Sequence, residues 1–293
     1  MITESFLPYE EAETLHETAE STPGDVSTEK LAELLVHGTP EARRVASHAY
    51  DEVTIARSNA ATAVADELEA MLASDAPSLQ RRAATAVRDL TERHPAEYRR
   101  TIPTLIAILE SPESTANDRV LDALYELAQH HPTAMRSAVP ALLNVLTAPQ
   151  TREGDTGEKV ASIDTPNRNR SIARESGDKN CVTAAQTLAL MTSECPETVT
   201  DADDQIGPLL SGPNEGIRAA ACDITGAIAR EHPARARPLL DDLATLLLED
   251  PQYSVVWKAA TALAALAGEY PQDLADAIAQ DAAAVTGLLA EPD

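Results

Sequence analysis

The chain has 293 residues, with 48 acidic against 23 basic residues and a formal net charge of −25 at pH 7. It contains one Phe and one Trp, so we expect a core of small aliphatic side chains and no large aromatic cofactor pocket. Strong negative charge disfavours nucleic acid and anionic membranes as partners at low salt. No apolar run approaches the about 18 residues that span a bilayer, and residues 1–6 do not resemble a signal peptide. With three cysteines and no C-x-x-C spacing, the composition predicts a cytoplasmic protein without a cofactor or metal.

The basic residues are themselves unevenly chosen, with four lysines against nineteen arginines. Together with abundant Ala and Thr, this composition resembles the proteome-wide bias of extreme halophiles, particularly haloarchaea. In about 1 M salt the Debye length is about 3 Å. The acidic surface of a halophilic protein would therefore reflect adaptation to salt and would say little about its partners.

A regular alternation of helices dominates the sequence. Residues 1–26 are predicted to form an N-terminal capping segment. From residue 27 onward, a Leu/Ile-rich helix, a short turn and an alanine-rich helix follow one another repeatedly. Each alanine-rich helix ends ahead of a proline, because proline stops a helix and its preceding residue avoids helical geometry. These prolines are Pro95, Pro132, Pro196, Pro233 and Pro271, with steps of 37, 64, 37 and 38 residues. A fixed period of this size predicts stacked helix pairs.

Three segments carry a more specific pattern within these helix pairs. Ile102-Pro103-Thr104-Leu105 and Val139-Pro140-Ala141-Leu142 stand in first helices, and Ile217-Arg218-Ala219-Ala220-Ala221 opens a second helix. In these segments the chain resembles the HEAT-repeat (armadillo-like) family. The resemblance covers residues 27–290 and implies an all-α fold, a right-handed α-solenoid of about six antiparallel helix pairs with capping helices. The predicted units are 27–58, 59–95, 96–132, 133–196, 197–233 and 234–271, followed by a terminal helical segment at 272–290.

The 64-residue step exposes an insertion, residues 147–178, inside the fourth unit. The insertion is rich in polar residues and lacks apolar periodicity, so we predict a loop between the two helices. Long structureless loops are commonly functional or disordered. Arg168, Arg170 and Arg174 are candidate partner-binding residues, because guanidinium groups bind carboxylates and phosphates. The alternative is a disordered loop, or one folded onto its own acidic surface.

A second candidate site is the arginine-rich stretch 81–100. It contains Arg81 and Arg82. Bases recur near the start of second helices, one repeat apart, at Arg44, Arg82, Arg119, Arg218 and Lys258, which we predict to align as a ladder that binds a partner. The alternative is that these bases pair with acids of the adjacent unit. Trp257 is a further candidate, either as a contact residue or packed against the last segment.

The sequence carries no nucleophile elbow, Walker loop, dinucleotide fingerprint or H-E-x-x-H motif. The recurring His-Pro pairs fit helix ends, where a histidine suits the helix dipole. Deoxyhypusine hydroxylases resemble this repeat class but carry repeated His-Glu pairs, whereas only His16-Glu17 occurs in this chain. We therefore expect a non-enzymatic scaffold that binds a protein partner through a concave helical face and the insertion. The alternatives are a nucleic-acid-associated protein that uses residues 81–100 and the insertion, or a HEAT-like enzyme or lyase subunit.

Overall fold

A computed structural model of the chain describes residues 7, 9–57, 59–111, 114, 116–147 and 168–279, without the side chains of 168–178 and 200–203. The chain divides into two compact units, unit 1 (Met1–Ala138) and unit 2 (Val139–Asp293). Within the described residues the regular structure is helical, apart from one isolated bridge between Leu7 and Gly38. The all-α fold class predicted from the sequence is confirmed.

Unit 1 contains eight α-helices among its described residues. Short 3₁₀ turns at Pro23–Asp25, Arg99–Thr101 and Pro132–Ala138 connect or extend them. The helices are α1 (Tyr9–Ser21), α2 (Thr28–His37), α3 (Pro40–Ala56), α4 (Ala60–Leu72), α5 (Pro77–Thr91), α6 (Pro95–Tyr98), α7 (Ile102–Glu110) and α8 (Asn117–His130).

Unit 2 continues the same alternation of helices. Its helices are α9 (Val139–Thr147), α10 (Arg168–Glu194), α11 (Asp203–Leu210), α12 (Glu215–Glu231), α13 (Pro233–Ala236), α14 (Leu240–Glu249) and α15 (Tyr253–Leu266), and residues 271–279 are also helical. Because α10 begins at Arg168, residues 168–178 are helical where the sequence predicts a loop. Nothing in the local sequence marks this start, since the segment lacks apolar periodicity. The rest of the predicted insertion, residues 148–167, lies outside the described residues.

Proline and short polar side chains set the helix boundaries. Six of the helices α1–α15 have proline as their first or second residue, where the missing N–H costs no hydrogen bond; these are Pro40, Pro77, Pro95, Pro103, Pro140 and Pro233. The Ser27 and Asn214 side chains accept hydrogen bonds from backbone N–H groups and cap α2 and α12. The boundaries of the helices therefore follow from elementary chain chemistry.

Small residues let the second helices pack closely side by side. In unit 1, α5 packs on α8, and in unit 2, α12 packs between α10 and α15. A Cβ atom added at Gly226 of α12 would meet the backbone of Ala262 in α15 at 3.3 Å. Alanine is the commonest residue at the other buried positions on these helices. The helix packing holds each exposed face of a second helix in a fixed position.

Candidate functional site

The exposed face formed by α5 and α8 in unit 1 is a network of opposite charges. Arg81 of α5 pairs with Asp118 of α8 at 2.6 Å between Nη2 and Oδ2. Arg119 lies on α8 itself and pairs with Asp122 at 3.2 Å. Arg88 approaches the same Asp122 carboxylate at 3.8 Å. The predicted binding residues Arg81 and Arg119 are therefore brought together, with carboxylates between them.

Three further bases of the 81–100 stretch also have polar partners. Arg93 pairs with Asp51 and donates a hydrogen bond to the Ser47 hydroxyl. Arg100 pairs with Asp66 and Glu69. The Nη1 atom of Arg82 lies 3.4 Å from the Nδ1 atom of His37. The sequence left open the alternative that these bases pair with acids of neighbouring helices. Arg81, Arg93 and Arg100 form such pairs.

A buried tyrosine cluster anchors the Asp51 end of this surface. The Tyr98 hydroxyl donates to the Tyr50 hydroxyl at 3.0 Å, and the His94 ring meets the Tyr50 ring edge-on at 4.9 Å between centroids. Burial raises the pKa of Tyr50 to about 12 and that of Tyr98 well above its ordinary value. Both phenols therefore stay neutral. The cluster reaches Asp51 through His94, whose Nε2 atom lies 3.1 Å from Asp51 Oδ1.

Arg218 forms a nearly buried ion pair in unit 2. Its Nε and Nη2 atoms donate to the two carboxylate oxygens of Asp250 at 2.6 and 3.2 Å, and Nη1 donates to the Gly212 carbonyl at 2.9 Å. Only 14% of the Arg218 side chain and 2% of the Asp250 side chain are exposed. Burial by itself would raise the pKa of Asp250. The hydrogen bonds that Asp250 accepts from Arg218 and from the Gln252 N–H, together with the Arg218 charge, hold this pKa below its usual value. The predicted binding residue Arg218 thus faces a carboxylate of its own chain.

The α15 helix exposes two aromatic side chains on its first turns. Tyr253 is 78% exposed and Trp257 is 63% exposed. Trp257 shares a stripe of helical spacing with the exposed Thr261 and Ala264. Lys258 pairs with Asp223 of α12. The predicted binding residues Trp257 and Lys258 are therefore neighbours, and the described part of the chain leaves Trp257 largely uncovered.

A groove of about 630 Å³ lies between the turn before α12 and the turn before α15. The Arg218–Asp250 pair lines it together with the exposed Glu215 and Glu249. Within the part of the chain that the structure describes, neither glutamate forms an ion pair. Sequence reasoning missed this groove and Tyr253. The available signal was the repetition of a glutamate beside a proline-containing turn, at Pro213 and again at Pro251.

The side chains of Arg168, Arg170 and Arg174 lie outside the described part of α10. Among the described residues, no group of three His, Cys, Asp or Glu side chains could hold a metal ion. No described helix is long and apolar enough to cross a membrane.

Similarity to known proteins is found at the level of structure. No protein-family profile matches the sequence, and no curated protein matches it. Two engineered proteins solved as targets of the Northeast Structural Genomics Consortium match with TM-scores of 0.56 and 0.54 at 20% identity, covering 82% of this chain and 96% and 98% of theirs. A designed armadillo repeat protein in complex with the peptide (KR)4 matches with a TM-score of 0.56 at 13% identity, covering 82% of this chain and 99% of that one. These similarities assign the chain an armadillo-like α-solenoid fold.

Proposed function

We propose that this chain is a non-enzymatic scaffold that binds a protein partner through the exposed faces of its second helices. The exposed Trp257 of α15 carries the proposal, because the chain has a single tryptophan and leaves it 63% exposed. Tryptophan and tyrosine are enriched among the residues that dominate binding at protein interfaces. The fold gives independent support, since a similar designed solenoid binds a peptide. The insertion at 147–178, with Arg168, Arg170 and Arg174, remains a predicted part of the same surface.

The ligand that the charge favours is an extended basic segment of the partner. The described bases of unit 2 already include Arg218, Arg237 and Lys258 in ion pairs. Glu215 and Glu249 are left at the rim of the 630 Å³ groove. Lysine and arginine side chains would complement these carboxylates, and the designed armadillo protein was solved with such a peptide.

Replacing both rim carboxylates tests the basic-segment proposal. We expect the double variant Glu215→Gln/Glu249→Gln to bind the peptide (KR)4 about fivefold more weakly than the unmodified chain, because each exposed ion pair contributes about 0.5 kcal/mol. The measurement is the fluorescence anisotropy of a labelled peptide titrated with the full chain at low salt. Glu52→Gln/Glu231→Gln is the matched control, since it removes the same number of charges from exposed acids outside the groove. Equal affinities for the double variant and the control would contradict the proposed site.

The nucleic-acid alternative has less support from the described residues. Arg81, Arg93 and Arg100 are already paired with carboxylates, so binding to phosphates would have to displace those pairs. A phosphate-binding surface loses affinity steeply with salt. Crosslinking in molar salt, with and without nuclease, separates the two functions: a protein partner survives nuclease, whereas an indirect association through nucleic acid does not. The enzyme or lyase-subunit alternative gains no specific observation.

The acidic composition supports a second proposal, that this is a cytoplasmic protein of a halophilic organism. A net charge of −25 destabilises a compact chain through self-repulsion, and molar salt shortens the Debye length to about 3 Å. We expect the thermal midpoint to rise between 0.1 M and 3 M KCl by about 2–4 °C for each kcal/mol of repulsion that is screened. Circular dichroism during heating measures this rise. A midpoint that is unchanged or lower in 3 M KCl would contradict the halophile proposal.

A further inference from the structure

A second groove, of about 420 Å³, lies between α3 and α5 in unit 1. Its α3 wall presents Arg43, Arg44, Ser47 and His48, and its α5 side presents Arg93 beyond the end of the helix. Three guanidinium groups therefore line one small groove. This concentration of positive charge is unexpected in a chain of net charge −25.

The charges in the α3–α5 groove are not equally compensated. Arg93 is neutralised by Asp51, and Asp89 of the groove wall is neutralised by Arg88. By contrast, Arg43 and Arg44 form no ion pair with any described carboxylate, although acids outnumber bases two to one. Arg43 is also half-buried, so its charge has lost part of its hydration without gaining a partner. Two guanidinium groups are thus available to an external anion.

The surroundings hold the site in shape before any ligand arrives. Arg93 is fixed from behind by Asp51, which also faces His94. Its second hydrogen bond, to the Ser47 hydroxyl, ties the end of α5 to α3. Glu92 is the one groove carboxylate without a described ion-pair partner, and it limits how much negative charge the groove accepts.

We propose that the α3–α5 groove binds a doubly charged oxyanion, with a phosphate group as the matching chemistry. A phosphate monoester carries about −1.5 to −2 charges at pH 7 and three acceptor oxygens. Arg43 and Arg44 can each offer it paired N–H donors, the geometry in which arginine binds phosphate most strongly. The groove is large enough for a phosphate with a few attached atoms. This site lies in unit 1 and does not depend on the partner surface proposed for unit 2.

Isothermal titration of the full chain with inorganic phosphate, at an ionic strength held constant with KCl, tests the proposal. We expect saturable binding that becomes at least about tenfold weaker in Arg43→Gln/Arg44→Gln, which removes charged hydrogen bonds. Arg136→Gln/Arg230→Gln is the matched control, because it removes two exposed arginines outside the groove and should leave the affinity unchanged. Absence of saturable binding, or equal loss in both double variants, would overturn the site.

A gain of affinity provides a second test that misfolding cannot imitate. Glu92→Gln removes the opposing carboxylate from the groove, so we expect tighter phosphate binding, by about two- to fivefold. Glu52→Gln changes the net charge equally from the exposed side of α3 and should have no effect. Succinate, titrated in the same way, separates phosphate from dicarboxylate chemistry. Succinate binding more tightly than phosphate would overturn the assignment of the ligand, as would a Glu92→Gln variant no tighter than Glu52→Gln.

Discussion

Replacing Arg218 by alanine is expected to lower the free energy of unfolding of unit 2 by about 3 kcal/mol, near the low end of the range for breaking buried ion pairs. The substitution leaves Asp250, whose side chain is 2% exposed in the intact pair, without its cation. It also leaves the Gly212 carbonyl without the Arg218 donor. The cost comes mainly from the uncompensated carboxylate, because burying an unpaired charge is far less favourable than burying a matched pair.

The pH dependence of this loss identifies its cause. The pKa of Asp250 is lowered in the folded chain, so its contribution to stability is present above the ordinary carboxyl range and disappears as the pH falls through the lowered value. We therefore expect Arg218→Ala to differ from the unmodified chain by the full amount at pH 7. The difference should begin to shrink as the pH falls toward the pKa of the uncompensated carboxyl, which burial raises above the ordinary aspartate value of about 3.9.

Urea unfolding at pH 7 and in acid, followed by circular dichroism, measures both effects. Arg81→Ala is the control, because its ion pair with Asp118 is more exposed and such pairs contribute about 0–1 kcal/mol. A loss in Arg218→Ala no larger than in Arg81→Ala, or a loss independent of pH, would show that the Arg218–Asp250 pair does not have the proposed role.

The helix ends were predictable because they depend on neighbouring residues only. Proline disfavours helical geometry for the residue before it, and α5, α8 and α12 end at Thr91, His130 and Glu231, ahead of the expected prolines. The start of α10 at Arg168 was not predictable in the same way. Its first residues lack the apolar periodicity from which a helix is recognised in sequence.

The partners of the charged residues could not be derived from the sequence. The sequence singled out Arg218 and Lys258 by their repeated positions, but their partners are Asp250, directly after α14, and Asp223 of α12. Many carboxylates stand one repeat away from each base, and the rotation of each helix selects one of them. The unpaired Arg43 is equally invisible in sequence, because its distinction is the absence of a facing acid among the described residues.

Replacing Trp257 by alanine is expected to weaken binding of the peptide (KR)4 by about 30-fold, which corresponds to about 2 kcal/mol. The tryptophan face attracts the cations of lysine and arginine, and its apolar surface adds contact that salt does not screen. Because Trp257 is 63% exposed, the same substitution should change the free energy of unfolding by no more than about 0.5 kcal/mol. Peptide anisotropy and urea unfolding measure the two quantities on the same samples.

Ile55→Ala is the matched control for Trp257→Ala. Ile55 is 82% exposed. Its replacement by alanine therefore removes a comparably exposed apolar side chain from α3, far along the sequence from α15. It should leave peptide affinity unchanged. Trp257→Phe keeps an aromatic face and should recover part of the affinity, whereas a purely steric contact would be recovered equally by leucine. If Trp257→Ala and Ile55→Ala bind the peptide alike, α15 is not the binding surface.

Tryptophan fluorescence gives a further measurement of direct contact. Trp257 is unshielded in the free chain and would be shielded in the peptide-bound chain, so the two states would differ in tryptophan emission. That shift, read from the single tryptophan of the chain, distinguishes direct contact with the peptide from an indirect effect of the mutation.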